Sequence, residues 1–254
     1  FIGAGSYAQG NLLPYINSFN EINKIGVYNR SGTTSKRVSE RFGFNFCTSD
    51  KKDIFNDKTN TVFISSRHDS HASYVIESIE KNMNIFVEKP LCLKVDELKK
   101  IHKKIKSYEG RLMVGFNRRF SPLAVKMKKI IGDGKLSITY RVNAGKIDIN
   151  SWIQDKDIGG GRIIGEICHF IDFMIFTCGS LPTNIYAQAM EDKNNFNDTI
   201  NINLGFENGS IGVISYFSNG PKRMSKEYIE VFSNGISVIL DDFKKMTVFT
   251  NSNS

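Results

Sequence analysis

Gly3-Ala4-Gly5-Ser6-Tyr7-Ala8, near the start of the chain, is the feature that most limits the fold. The spacing G-x-G-x-x-G/A asks for a strand that stops, a tight turn and a helix that begins at once. Gly3 turns the chain out of the strand, Gly5 lets the backbone approach a pyrophosphate, and Ala8 is small enough for the helix to pack on the sheet. The helix start then offers free N–H groups to phosphates. Ser6 and Tyr7 complete this candidate cradle. A helical stretch and the strand Lys24–Tyr28 follow, a unit of about the expected ~30 residues. Phe1-Ile2 is shorter than an ordinary strand of about five residues, so the natural chain is expected to extend upstream.

Past the second strand, a carboxylate should bind the ribose 2′-hydroxyl. The chain reads Asn29-Arg30-Ser31 instead. An Arg and a Ser suit a 2′-phosphate, which tilts the expectation from NAD towards NADP. The alternative is that Asn29 bonds the ribose while Arg30 points to solvent.

Strand and helix patterns then alternate. Helix is expected at Ser35–Phe42, strand at Asn60–Ser65, helix at Ala72–Lys81 and strand at Ile85–Val87. A helix over Val95–Ile105 and a strand over Arg111–Phe116 complete the series. This is the pattern of a doubly wound parallel sheet. Three strand ends carry polar clusters: Ser65, Ser66, Arg67 and His71 after one, Glu88-Lys89-Pro90 after the next, and Asn117, Arg118 and Arg119 after the last. In open α/β sheets, such ends converge on the ligand crevice. Pro90 cannot continue a central strand, so Glu88 and Lys89 emerge at the sheet edge, and Lys89 is a candidate for chemistry.

From about Ser121 the pattern changes. A helix to Ile131, a strand over Leu136–Ala144 and a polar loop holding the only tryptophan, Trp152, lead to Gly159-Gly160-Gly161. These glycines feed a helix on which His169 and Asp172 share a face. Beyond Pro182 the chain is strand-rich. Asn208-Gly209 and Asn234-Gly235 mark hairpins between Ile200–Phe206 and Ser210–Phe217, and between Tyr228–Phe232 and Ile236–Leu240. The expected fold is thus α/β. A Rossmann doubly wound sheet over residues 1–118 precedes an α+β domain over 119–254, with a mixed, largely antiparallel sheet. An uncovered sheet face there would favour homo-oligomers. Histidine is the side chain whose ordinary pKa lies nearest neutrality, which makes His169 a candidate general base.

The 254 residues are 40% hydrophobic and 24% charged, with a net charge of +8. Lysines fall in helix-spaced pairs such as Lys99-Lys100 and Lys103-Lys104, which reads as a solvated helix face rather than a nucleic-acid site. No apolar run approaches the ~20 residues of a membrane span. Cys47, Cys92, Cys168 and Cys178 show no metal-ligand spacing, which suits a reducing, cytoplasmic setting without a zinc site.

The glycine turn, Glu88-Lys89-Pro90, and Gly159-Gly160-Gly161 followed by His169 and Asp172 together resemble the glucose–fructose oxidoreductase/inositol dehydrogenase (Gfo/Idh/MocA) family. The second-half run is most similar to bi-domain members, which carry a zinc-dehydrogenase-like domain upstream. The resemblance implies an NAD(P)-dependent dehydrogenase acting on a secondary alcohol or ketone of a sugar, sugar nucleotide or cyclitol. It implies that Lys89 lies near the nicotinamide and the substrate hydroxyl, that Pro90 is cis, and that His169 works with Lys89 in proton transfer. Arg118, Arg119, Trp152 and Asp172 are candidate substrate contacts. Gly165 stands where many relatives carry Asp. The neighbouring Glu166 is rotated by about 100° around an ideal helix, which puts that relay in question. A glycosidase using transient oxidation by bound NAD, and a non-catalytic cofactor-sensing regulator, are the competing readings. The chain is expected to stop before the family fold is complete.

Overall fold

The computed structural model describes residues 1–251. The chain divides into two compact units, Phe1–Gly115 with Asp157–Gly160, and Phe116–Lys156 with Gly161 onward. The first division falls a few residues before the expected 118/119 boundary.

In the first unit, α1 (Ser6–Asn11) and α2 (Leu13–Ile16) follow the glycine turn. Then come β1 (Gly26–Tyr28), α3 (Gly32–Phe42), β2 (Phe46–Thr48), β3 (Thr61–Ile64), α4 (His71–Glu80), β4 (Asn84–Val87), α5 (Val95–Ile105) and β5 (Leu112–Val114). All strand pairings are parallel, β1 with β2 and β3 with β4 with β5. Ile2 joins the two sets, bridging in parallel to both Tyr28 and Ile64. The order across the sheet is therefore β2, β1, Ile2, β3, β4, β5, the doubly wound arrangement with its first strand in the middle.

Strands buried on both faces explain the unbroken apolar runs. Ile2, Val27, Val62, Ile64 and Val87 are all fully buried. One core joins Ile2, Val62, Ile64, Ile85 and Val87 to Val75 and Ile79 of α4 and Ile101 of α5. A second joins Val27 to Ala4, Leu13, Val38 and Phe42. On α5 only Ile101 is buried, while Leu98 and Ile105 lie exposed beside the solvated lysines. β2, a three-residue strand without a fully buried side chain, is an element the sequence pattern does not single out.

The second unit opens with α6 (Pro122–Ile131) and β6 (Ser137–Asn143). A π-helical turn, Ile163–Ile167, runs directly into α7 (Cys168–Cys178). β7 (Pro182–Met190), β8 (Thr199–Phe206), β9 (Ile211–Phe217), β10 (Glu227–Ser233), β11 (Ile236–Asp241) and β12 (Lys245–Thr250) complete it. The seven strands lie in the order β12-β11-β10-β6-β9-β8-β7. β6 and β9 are parallel, and every other pair is antiparallel. Asn234 and Gly235 both take positive φ, 42° and 82°, the two-residue hairpin that Asn-Gly favours.

Alternate residues define the core face. Ile138, Tyr140 and Val142, Ile202 and Leu204, Ile214 and Tyr216, and Ile229 and Val231 pack with Phe170, Phe173 and Met174 of α7 and Met127 of α6. The opposite face carries exposed Tyr186, Met190, Ile211 and Phe232. Among the described residues, no helix is long and apolar enough to cross a membrane.

Candidate active site

In the first unit, the glycine turn is wedged between two strand ends. The Gly3 N–H donates to the Tyr28 carbonyl at 2.9 Å, and the Ser65 N–H donates to the Ile2 carbonyl at 2.8 Å. Gly3 sits at φ +82°, and a Cβ there would lie 2.5 Å from both Cα and N of Ser66. Gly5 differs, being extended, with nothing within 4 Å of its Cβ position. That open space is what the close approach of a pyrophosphate requires. Ala8 is fully buried, as close packing of helix on sheet demands. The first amides of α1, from Ser6 on, have no carbonyl to bond within the helix.

Asn29 leaves the end of β1 with its Nδ2 buried and without a partner. Its N–H donates to Ser35 Oγ at 2.9 Å, and that hydroxyl donates to the Thr48 carbonyl at 2.9 Å. Ser35, fully buried in the first half of α3, is a supporting residue that no motif flags. Ser31 is the N-cap of α3. An open glycine cradle and an orphaned donor at the next strand end fit a nicotinamide dinucleotide. Ser6, Tyr7, Asn29 and Ser31 are the residues that would hold its phosphates and ribose.

Arg30 is 74% exposed in its side chain, and its Nη2 lies 3.8 Å from Asp69 Oδ2. Asp69 belongs to the polar run after β3 but has no place in any fingerprint. Nearby, Ser66 Oγ pairs with Ser70 Oγ at 2.7 Å, and Arg67 is exposed.

His71 is not a surface ligand. It has no exposure, its Nδ1 lies 2.7 Å from the Pro90 carbonyl, and its Nε2 lies 3.0 Å from the Ser66 carbonyl. Both ring nitrogens thus face main-chain carbonyls rather than open space, and the one that carries the proton ties the buried ring to one of them. Burial lowers its pKa, with the Lys89 charge adding to the effect against the two carbonyls. His68, facing it at 5.7 Å between ring centroids, is likewise pushed down to about 4 by burial. Neutral at pH 7, it donates from Nδ1 to the Gly159 carbonyl at 2.7 Å.

Glu88, Lys89 and Pro90 close β4. The Lys89–Pro90 bond is cis, as the resemblance implies. Glu88 is buried, which raises its carboxyl pKa against the opposing pull of Lys89 and of a Tyr7 hydrogen bond. Lys89 is half-buried at the sheet edge.

In the second unit, α7 carries His169 and Asp172, both buried. The His169 ring stands edge-on to Phe116 at 6.0 Å. Asp172 receives Arg119 at both oxygens, with Nε donating to Oδ2 at 2.9 Å. Arg118 donates to Glu227 through Nε and Nη2 at 2.7 and 2.6 Å, and lies 4.8 Å over the Phe170 ring. Burial opposes its charge, but Glu227 outweighs burial and holds the guanidinium ionised. Tyr140 also donates to Glu227. Arg118 is therefore committed to a buried pair, which is at odds with a substrate contact. Asn117 opens the 3₁₀ turn Arg118–Phe120 and caps it through its carbonyl. Trp152 is half-buried in the loop after β6.

Glu166 does not replace the acid absent at Gly165. Its carboxylate accepts from Lys226 Nζ at 2.6 Å and from the Tyr216 hydroxyl, with buried Arg162 at 3.6 Å. The π turn also moves it out of α-helical register with His169, since π bonding runs i→i+5. Among the described residues, no three His, Cys, Asp or Glu side chains gather as a metal ion would require.

Residues 1–116 match the family model "Oxidoreductase family, NAD-binding Rossmann fold", and residues 125–236 match "GFO/IDH/MocA C-terminal domain". The chain belongs to the Gfo/Idh/MocA oxidoreductase family. Its relatives include the uncharacterized oxidoreductase YrbE of Bacillus subtilis, 29% identical over 211 residues, covering 80% of this chain and 62% of that protein. Inositol 2-dehydrogenase of Rhizobium meliloti is 27% identical over 162 residues, covering 61% of this chain and 49% of that one. Levoglucosan dehydrogenase, solved with NADH and levoglucosan, superposes with a TM-score of 0.85 at 22% identity, over 100% of this chain and 76% of its own. The chain thus spans less than two thirds of the curated relatives named.

Proposed function

We propose that this member of the family is a nicotinamide-dependent dehydrogenase acting on a secondary alcohol, or in reverse a ketone, of a sugar or cyclitol. The observation that carries the reading is the arrangement of the first unit. An open glycine cradle and an orphaned Asn29 donor flank one end of the sheet, and Lys89 leaves that same end under the cis Pro90. When bound, the nicotinamide would supply the acceptor or donor of hydride. The protein's own part is the proton. Lys89 would polarise the substrate hydroxyl and lower its pKa, and His169 is the candidate acceptor of the proton. Asp172, paired with Arg119, would set the face that His169 presents, and Trp152 would contribute an apolar surface to a sugar ring. The inositol 2-dehydrogenase and levoglucosan dehydrogenase relatives support a polyol substrate class. The exposed apolar residues on the open face of the second sheet support self-association, which light scattering would measure.

Arg30-Ser31 taken alone favours NADP, whereas the engagement of Arg30 with Asp69 weighs against it. The reading is tested by following reduced nicotinamide during incubation with a panel of cyclitols, aldoses and anhydrosugars. Oxidation of one class that is lost in Lys89→Ala supports it. Dinucleotide binding without turnover on any polyol would overturn the substrate class.

A further inference from the structure

The polar groups around Arg30 bear on which dinucleotide the first unit takes, given the reading above that it takes one. A Rossmann site built for a free ribose hydroxyl carries an acid after the second strand, and one built for a 2′-phosphate has an Arg nearby. Here that place holds Asn29-Arg30, the second pattern. The structure adds a carboxylate from another direction. Asp69 lies in the 3₁₀ turn His68–Ser70 after β3, with its N–H anchored on the Ile158 carbonyl at 3.0 Å. Because Ile2 bridges both Tyr28 and Ile64, the segments bearing Arg30 and Asp69 leave the sheet on either side of the glycine turn. Their side chains meet, Arg30 Nη2 to Asp69 Oδ2, at 3.8 Å.

Two polar atoms of this group are buried without a partner, Nδ2 of Asn29 and Oδ1 of Asp69. The first is a donor, and either a hydroxyl or a phosphate oxygen can accept from it. The second is an acceptor and needs a donor. A ribose hydroxyl or an adenine amino group can give one, whereas a phosphate dianion cannot. A 2′-phosphate drawn to Arg30 would also bring its charge towards the Asp69 carboxylate, and like charges at such range repel appreciably even at a protein surface. Arg30 would have to abandon Asp69 or hold both.

We propose that Asp69 is a specificity-determining residue, which occupies Arg30 and supplies from β3 the carboxylate absent after β1. The first unit then prefers NAD(H) over NADP(H). The exposure of Arg30 keeps the effect moderate, about tenfold in affinity.

The test is calorimetric titration of the whole chain with NADH and with NADPH, for the wild type, Asp69→Asn, and the double variant Arg30→Ala/Asp69→Asn. The wild type should bind NADH about tenfold more tightly than NADPH. Asp69→Asn, nearly isosteric, should erase or reverse that preference, chiefly by tightening NADPH. The double variant should lose the gain, because the freed guanidinium is what holds the phosphate. Wild-type protein that binds NADPH as tightly as NADH, or an unchanged ratio in Asp69→Asn, would overturn the proposal and leave the dinucleotide reading intact. Folded protein that binds neither would overturn that reading and the proposal with it.

Discussion

Exchanging each of the two glycines of the first turn for alanine should separate folding from ligand binding. At Gly3 a methyl group meets main chain: Ser66 Cα and N at 2.5 Å and the Ser65 carbonyl carbon at 2.7 Å, with φ at +82°. A non-glycine residue held at positive φ costs about 1–3 kcal/mol, and forcing atoms into a packed region about 1–3 more. None of the three contacts is the far end of a flexible side chain, so little of this relaxes away. Gly3→Ala should therefore destabilise the first unit by about 2–6 kcal/mol, read as a lower urea midpoint with an unchanged slope. At Gly5 the backbone is ordinary and the space is open, so Gly5→Ala should shift stability by no more than about 0.5 kcal/mol. Its methyl would instead stand where a pyrophosphate must approach, and NADH affinity should fall by at least about tenfold. Equal stability of the two variants, or full NADH affinity in Gly5→Ala, would refute the assignment of one glycine to the turn and the other to the ligand.

Three further outcomes follow from the buried polar groups. Arg118→Ala strands Glu227 beside Tyr140 in the second core, and should cost about 3–5 kcal/mol by urea denaturation. An active-site contact could be removed at far smaller cost. His68 is pushed from its ordinary 6.5 down to about 4, so the unfolded chain binds the extra proton first. Its contribution to stability is complete above pH 6.5 and is lost as pH falls towards 4, a slope that His68→Gln should flatten and ring NMR should match. Burial would raise the Glu166 carboxyl, but Lys226, Tyr216 and Arg162 outweigh it and hold the pKa below 4.5. Its contribution is present above that value and fails in stronger acid, and Glu166→Gln should remove this acid-limb step in a denaturation series.

Much of this was legible because the signals were local. The glycine turn, the strand ended by Pro90 and the Asn-Gly hairpins each depend on a few neighbouring residues, and the helix over Val95–Ile105 lies where its periodicity puts it. What escaped depends on distant partners. β7 is solvent-exposed along nearly its whole length, so it shows none of the alternation that marks a half-buried strand. His71 lies in a polar cluster with the look of a ligand site, and only the Pro90 and Ser66 carbonyls, remote or inward-facing, reveal it as a buried tie. Arg118 has no partner among its sequence neighbours, and the carboxylate that claims it, Glu227, lies more than a hundred residues later. The π turn ahead of α7 leaves no mark in the composition of Ile163–Ile167, yet it sets where Glu166 points.

The most direct test of the account is to compare wild type and Lys89→Ala in one assay of polyol oxidation and one of NADH binding. If Lys89 carries the proton chemistry at the end of β4, turnover should fall by about 10²–10⁴-fold while NADH affinity stays within about threefold. Turnover that survives the substitution would contradict the central claim.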